Sequence, residues 1–402
     1  MISQALTSIS ISLLALILLW MVYQLLVILV GFKNNRMLNK KDVAYYPKFS
    51  IIIPTKNEEK VIERCLNSII ALNYPQNLIE IIVVDSSNDS TGKVCEDFEK
   101  RYPSLIKVIR NDPKGKPSAL NVGLKHAKGE IVGVFDADSI LAENTILNAA
   151  VYFQDPHIVA VQGRTRCLNR NHNLLTRLQT IQEEIFFHLL IRGRDLLNLF
   201  IPFTGSCLFI RRNVLEELGG WNNFSLAEDV ELSARLLLNK DARIKYAEDV
   251  ISWQETPSRL KALIRQKSRW YRGYIETAIK YSKLLKKPSI KNFEAETFIS
   301  SPIIMILSFL GYINWIIGLL YPSANIIFQL IGYLIIIATL LSIILTVACL
   351  EKPLNLRNLM LTPFVYIYWI LQSIIALKCF LEIIFRRPRE WLKTEKEGII
   401  AP

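Results

Sequence analysis

Ile131-Val132-Gly133-Val134-Phe135-Asp136-Ala137-Asp138 is an apolar run that stops abruptly on two carboxylates one residue apart. Val, Ile and Phe at this density suit a strand covered on both faces, and such a strand releases its chain into a polar crevice at its carboxyl end. Strand side chains alternate in direction, so residues two apart point the same way. Asp136 and Asp138 can therefore share one hard divalent cation, with positions left for diphosphate oxygens and water. A plain strand end running into the turn formers Asp138 and Ser139 would look the same in isolation, so the surrounding chain decides between the two.

Upstream, Phe49-Ser50-Ile51-Ile52-Ile53 reads as a first strand stopped by Pro54. Thr55-Lys56-Asn57-Glu58-Glu59 opens a helix running to about Leu72, with Asn57 placed as its N-cap. A second strand, Ile79-Glu80-Ile81-Ile82-Val83-Val84, ends on Asp85 and is followed by a polar loop and a helix. A third near Lys107 to Arg110 leads to Lys114-Gly115-Lys116-Pro117-Ser118-Ala119-Leu120-Asn121, another helix, and Gly129 before the Asp136 strand. Strand and helix alternate at βαβ spacing, which predicts an α/β fold with a mostly parallel sheet and helices on both faces. Ligands bind outside the carboxyl ends of such strands, where Asn57, Asp85, Asp136 and Asp138 stand. No GxGxxG follows the first strand and no GxxxxGK[ST] occurs, so the dinucleotide and P-loop signatures are missing. A metal and lysines are left to hold phosphates.

Downstream, Val159 to Gly163 reads as a further strand, and Leu174 to Phe200 as an amphipathic helix covering either the core or the membrane. Gly205 in Thr204-Gly205-Ser206-Cys207 permits a close backbone approach to a ligand. Glu228 and Asp229 open a helix to about Asn239, an acidity that the helix dipole alone would explain. Pro257 to Lys280 is a basic amphipathic helix carrying Trp270 and Tyr271, the pattern of an interfacial helix.

The chain is 402 residues, 51% hydrophobic, with net charge +12 and mean hydropathy +0.26. That is too apolar for an ordinary soluble enzyme and too charged for a pure transporter, and fits a soluble domain joined to membrane spans. Leu13 to Phe32 matches the roughly 20 residues a bilayer requires, and lacks a charged n-region or a cleavage site, so a retained anchor is expected. Three more apolar segments lie near Phe298 to Tyr321, Ile326 to Leu350 and Leu359 to Phe385. Positive charge gathers beside the apolar segments, at Lys33, Arg36, Lys40 and Lys41 and at Lys280, Lys283, Lys286, Lys287 and Lys291. This placement predicts cytoplasmic flanks against membrane lipid and no nucleic-acid partner. Three crossings after a cytoplasmic domain would leave the tail outside, yet Arg386, Arg387, Arg389 and Lys393 prefer the inside. Either one segment is re-entrant or the tail breaks the rule. The six cysteines are scattered without CxxC pairs, as buried thiols of a reducing compartment would be. The expected organisation is an anchor at 1–32, a catalytic domain at 49–254, an interface region at 255–297, about three spans within 298–385 and a basic tail at 386–402.

Together, Asp85, Asp136-Ala137-Asp138, Glu228-Asp229 and Gln266-Lys267-Ser268-Arg269-Trp270 resemble the D, DxD, (T)ED and QxxRW series of the membrane-bound family 2 glycosyltransferases. That family includes the cellulose, chitin, hyaluronan and poly-N-acetylglucosamine synthases and the ceramide glucosyltransferases. Lys116-Pro117-Ser118-Ala119-Leu120-Asn121 looks like its KxxALN stretch, and Thr204-Gly205-Ser206 like its loop beside the acceptor. Two departures are Asp85-Ser86-Ser87 where many members have Asp-Asp-Gly, and Ala227 where many have Thr. The resemblance implies a GT-A catalytic domain and inverting transfer of a sugar from a nucleotide sugar, a UDP-sugar foremost. The acceptor is a growing polysaccharide, or alternatively a membrane lipid; a non-catalytic nucleotide-sugar-binding scaffold is the rival of another class. It implies donor contacts at Asp85, Lys116, Asp136 and Asn57, and Mg²⁺ or Mn²⁺ at Asp136 and Asp138. Asp229 with Glu228 is the implied catalytic pair, Asp229 acting as general base, and Gln266, Arg269, Trp270, Gly205 and Ser206 meet the acceptor. A helix start lowers the pKa of Asp229, so neighbours or substrate must raise its basicity. The sequence names no accessory subunit.

Overall fold

The computed structural model describes residues 2–33, 45–111, 115–238, 243–282, 289–320, 326–350, 356–389, 394 and 396–399. Arg36, Lys40, Lys41, Lys283, Lys286, Lys287 and Lys393 of the basic flanks lie outside the described residues, as does Lys114.

The strands are β1 (Phe49–Thr55), β2 (Ile79–Asp85), β3 (Ile106–Arg110), β4 (Ile131–Val134), β5 (Ile140–Leu141), β6 (Ile158–Cys167), β7 (Leu208–Arg211) and β8 (Arg243–Gln254). They form one sheet in the order β3-β2-β1-β4-β7-β6-β8-β5. β1 to β4 run parallel, as the βαβ spacing predicts, while β7 is antiparallel to both β4 and β6. Alternation divides the strand side chains between two cores. Ile51, Ile53, Ile81, Val83, Phe135 and Phe209 pack on one face, and Ile52, Ile82, Val84, Val132, Val134 and Leu208 on the other.

Register puts the chemistry at one edge. Thr55 stands opposite Asp85, and Asp85 opposite Arg110. Because β7 runs against β4, with Leu208 opposite Val134, the loop that enters β7 arrives where β4 releases Asp136. Antiparallel pairing of Ile140 with Trp253 brings the end of β8, Gln254, beside the same loop.

Helices α1 (Ile2–Gly31), α2 (Ile62–Ile70), α3 (Lys116–His126), α4 (Leu174–Glu184), α5 (Glu228–Leu238), α6 (Leu260–Tyr281), α7 (Ser301–Leu319), α8 (Ile326–Leu350) and α9 (Thr362–Ile384) surround this edge. Asn57 does not cap α2, which starts only at Ile62. Asn57 takes the left-handed conformation, φ 56°, its N–H donates to Ser87 Oγ (2.7 Å) and its Oδ1 accepts the Asn88 N–H (2.8 Å). Its polar side chain satisfies a neighbouring loop in preference to a helix start. The expected helix to Phe200 also ends early: α4 continues through a π-helical stretch, Ile185–Ile191, and one more turn to Leu196. Asn198, φ 52°, then stops it, with the Leu199 N–H on the Arg194 carbonyl and the Asn198 N–H on that of Asp195.

Four segments, Ser10–Gly31, Ser301–Leu319, Ile326–Ile344 and Thr362–Ile384, are long and apolar enough to cross a membrane. The last is tied to the rest of the protein on both sides. Before α9, Asn358 Oδ1 accepts Arg177 Nη2 (3.0 Å). After it, the Arg387 and Pro388 carbonyls accept the Arg272 guanidinium (2.6 and 2.8 Å). Between them, Gln372 Oε1 accepts from Tyr271 Oη (2.5 Å) and Gln182 Nε2 (3.0 Å). α9 thus lies along α6, with both flanks tied to the sheet domain and its amphipathic helix.

Candidate functional site

β4 ends at Val134, short of the expected carboxylates, and Asp136 and Asp138 follow it in a turn that lines one crevice, each beside an ammonium group. Asp136 Oδ1 accepts Lys116 Nζ at 2.6 Å, Oδ2 accepts Gln254 Nε2 at 3.0 Å, and its N–H donates to Ser206 Oγ at 3.2 Å. Asp138, 3% exposed, accepts the Glu255 N–H (3.1 Å) and Lys396 Nζ (2.6 Å) on Oδ2. Burial would raise the Asp136 carboxyl, but Lys116 overrides it and holds the group below its ordinary pKa.

Lys116 opens α3 directly after Gly115, whose φ of 89° turns the chain into the helix. Its Nζ also donates to the Gly205 carbonyl (2.7 Å) and lies 3.5 Å from Glu228 Oε1. One ammonium thereby joins three segments. Burial opposes its charge, yet Asp136 and Glu228 raise its pKa overall.

Glu228 is buried and Asp229 is partly open at the start of α5. Asp229 Oδ1 accepts the N–H of Val230 (2.9 Å). Gly205, φ 77°, backs onto this carboxylate: a Cβ there would sit 3.1 Å from Asp229 Oδ2 and 3.4 Å from Lys116 Nζ. The helix start does not keep Asp229 acidic. Burial pushes its carboxyl up, the Glu228 charge adds to this against Lys116, and the pKa reaches about 7.

α6 brings Gln266, Arg269 and Trp270 to the same space. A cavity of about 690 Å³ is lined by Lys116, Asp136, Asp138, Gly205, Glu228 and Asp229 at one end and by Gln266, Arg269 and Trp270 beside them. It continues between the apolar helices past Gln24, Tyr312, Thr339, Ser342 and Gln372. Lys267 Nζ stands 4.3 Å from the centre of the Trp270 ring, a cation–π contact that fixes the indole. The missing side chain of Gly273 lets α6 approach the turn before α5, since an added Cβ would lie 2.7 Å from both Ala227 N and Cβ. Gly273→Ala is expected to cost about 1–3 kcal/mol by overpacking, read as a lower melting temperature in detergent.

Asp85 and Asn57 stand outside this cavity lining. The Asp85 side chain is 0% exposed and accepts Thr55 Oγ1 (2.7 Å), Ser87 Oγ (2.5 Å) and Arg110 Nη1 (2.6 Å). The half-exposed partner is Arg110, which sequence reasoning passed over. It also passed over Gln254, Glu255 and Lys396. The first two end a strand without a flagged motif, and Lys396 belongs to a stretch read only for its charge.

Among the described residues, no group of three or more His, Cys, Asp or Glu side chains gathers as a metal site. Two carboxylates nonetheless fit a Mg²⁺ or Mn²⁺ ion that takes its other oxygens from diphosphate and water. The ammonium nitrogens 2.6 Å from each carboxylate mark the spot as one that collects positive charge.

Residues 47–273 match the model of the family described as glycosyltransferase like family 2. The chain belongs to glycosyltransferase family 2. It is 31% identical over 396 residues to the probable glycosyltransferase YdaM of Bacillus subtilis, covering 91% of this chain and 90% of that one. It is 32% identical over 265 residues to a beta-monoglucosyldiacylglycerol synthase of Trichormus variabilis (64% of this chain, 55% of the relative). It is 27% identical over 248 residues to the poly-beta-1,6-N-acetyl-D-glucosamine synthase of Staphylococcus epidermidis (61% and 59%). For these last two, the match spans little more than half of the relative. The mannosyltransferase PcManGT of Pyrobaculum calidifontis, solved with GDP-Man and Mn²⁺, shares the fold with a TM-score of 0.60 at 21% identity, covering 96% of this chain and 99% of that one. The sheet domain is thus a GT-A-like domain flanked by apolar helices, and this family 2 enzyme uses a nucleotide sugar.

Proposed function

We propose that this family 2 enzyme transfers sugar with inversion from a UDP-sugar to a growing polysaccharide at the cytoplasmic membrane face. The observation that carries the reading is the continuous cavity, which joins Asp136, Asp138, Asp229 and Trp270 and then runs on between apolar helices. Gln24, Thr339, Ser342 and Gln372 put polar side chains along its wall among the apolar helices, and polar groups inside a membrane commonly mark a substrate path. A sugar chain offers them hydroxyls, and Trp270 and Tyr312 offer it ring faces.

Asp136 and Asp138 hold a divalent cation, which when bound offsets charge on the leaving diphosphate. Lys116 and Arg269 bind the diphosphate oxygens. Asp85 acts on the nucleoside through the groups it orients, Ser87 and Arg110, and Asn57 ties that loop to β1. Asp229 takes the proton of the acceptor hydroxyl as its oxygen attacks the anomeric carbon opposite the diphosphate, and buried Glu228 keeps Asp229 basic enough to do so. Gln266, Trp270 and the Gly205–Ser206 turn seat the acceptor.

In this reading α1, α7 and α8 cross the membrane and α9 lies in its interface, as its two tethered flanks favour. Arg386, Arg387 and Arg389 then remain on the side of the catalytic domain, which reconciles them with the positive-inside rule. A lipid acceptor is the second reading, favoured by the beta-monoglucosyldiacylglycerol synthase relative and by apolar Ile17, Met21 and Phe309 in the cavity wall.

Membranes containing the enzyme are to be incubated with radiolabelled UDP- and GDP-sugars and Mn²⁺, and the label separated by solvent extraction and gel filtration. High-mass aqueous label is the expected outcome. Label in the organic phase replaces the polymer with the lipid acceptor, and donor binding without incorporation from any sugar overturns the enzyme in favour of a scaffold.

A further inference from the structure

Residues 396–399, beyond α9, lie against Asp138 and Glu255. Lys396 Nζ sits 2.6 Å from Asp138 Oδ2 and donates to the Glu255 carbonyl at 2.7 Å. The next three backbone N–H groups, of Glu397, Gly398 and Ile399, converge on the Glu255 carboxylate at 2.7, 3.1 and 3.2 Å. Gly398, φ 75°, gives the chain the turn this needs, and the result is a backbone nest around a buried anion. Arg64 closes the other side, pairing with Glu255 (3.3 Å) and donating to the Ile399 carbonyl (3.1 Å). Ser258 and Arg259 hold the Glu397 carboxylate at 2.7 and 2.8 Å. This is a dedicated seat, and its first residue reaches into the catalytic cavity.

We propose that segment 396–399 is a self-bound occupant of the cation–diphosphate site: Lys396 neutralises Asp138 where a divalent cation binds, and metal with donor displaces it. The inference rests on the reading of Asp136 and Asp138 as the cation site. An ammonium at 2.6 Å and a divalent ion at its own shorter bonding distance, about 2.0–2.1 Å for Mg²⁺, cannot both lie against Asp138 Oδ2 without severe repulsion. The two cations therefore compete, and by linkage whatever seats the segment weakens metal binding by the same factor that metal weakens the seat. Glu255 is the anchor on which that competition turns, because it holds the segment without belonging to the carboxylate pair. The device keeps the site neutral and closed until metal and diphosphate arrive together.

The test measures Mn²⁺ binding to the purified full chain in detergent without donor, by the electron paramagnetic resonance signal of free Mn²⁺. Lys396→Met is expected to bind Mn²⁺ about tenfold or more tightly than wild type, the size expected from losing a charge-assisted competing contact. Glu255→Gln, which loosens the anchor, shifts affinity in the same direction by less, and Asp138→Asn abolishes the gain. Unchanged or weaker Mn²⁺ binding in Lys396→Met overturns the proposal. Absence of Mn²⁺ binding in every form overturns the cation-site reading itself, a result distinguishable from equal binding. A second readout needs no variant: tryptic cleavage after Lys396 is expected to run several-fold faster with UDP and Mn²⁺ present. Slower cleavage under those conditions would mean that the segment closes over the donor instead of leaving it, and would likewise overturn the proposal.

Discussion

Asp229→Asn is expected to lower kcat by roughly 10² to 10⁴, the usual contribution of a positioned general base, while UDP-sugar binding stays unchanged. The side chain is nearly isosteric, and an amide oxygen can still accept the Val230 N–H that Asp229 Oδ1 accepts. What it cannot do is take up a proton. The proposed donor contacts keep their hydrogen bonds in this variant, Lys116 still donating to Asp136 Oδ1 and to the Gly205 carbonyl. The comparison is made by single-turnover transfer alongside equilibrium binding of the UDP-sugar. Full transfer activity in Asp229→Asn would remove the residue from the chemistry.

The pH profile of kcat/KM checks the same role independently. With its pKa raised to about 7 by burial and by Glu228, Asp229 is a competent base only when deprotonated, so the rate falls as pH drops through that value. Glu228→Gln removes one of the groups that raise the pKa and should move this acid limb to lower pH. Loss of Lys116, which works the other way, should move it upward. An acid limb that ignores Glu228→Gln would place the titration on some other group.

The parts of the site legible in the sequence are those whose information is local. Two carboxylates spaced by one residue after an apolar run do line one cavity, but β4 stops at Val134 and a turn, with the Ser139 N–H on the Asp136 carbonyl at 3.0 Å, places them there where strand alternation was expected to. Asn57 misled because an Asn before a helix also has local alternatives, and here it serves the Ser87–Asn88 loop with a positive φ. That Asp229 needs its neighbours to become basic was expected, but which neighbours was not legible. A helix dipole acts within one turn and is worth a fraction of a kcal/mol to about 1 kcal/mol, whereas desolvation and a neighbouring buried carboxylate depend on what packs around the residue. Gln254, Glu255 and Lys396 were illegible altogether. They meet the turn after β4 through the antiparallel pairing of β8 with β5 and through a distant segment, and no spacing in the chain encodes that meeting. α9 has the length and hydropathy of a crossing, and only its contacts with Arg177 and Arg272 set it apart.

Asp136→Ala should abolish the Mn²⁺ enhancement of UDP-sugar binding, a loss on the order of 10² or more. Removing an outer-shell partner of a metal ligand already costs about 10–100-fold, and here one of the two proposed carboxylate ligands disappears. The measurement has to be made with and without metal, because the substitution also frees Lys116. In the intact protein its ammonium is committed to Asp136 Oδ1 at 2.6 Å and to the Gly205 carbonyl at 2.7 Å. Without Asp136 it can offer more of its charge to the diphosphate, so metal-free donor binding is expected to persist in the variant even as the metal-dependent part vanishes. Asp136→Asn separates shape from charge: it keeps an oxygen for Gln254 Nε2, which now donates at 3.0 Å, but offers the cation only a neutral ligand. If both variants bound donor as wild type does, with the same response to Mn²⁺, the carboxylate pair would be a structural strand end whose charge serves Lys116 and Lys396 alone.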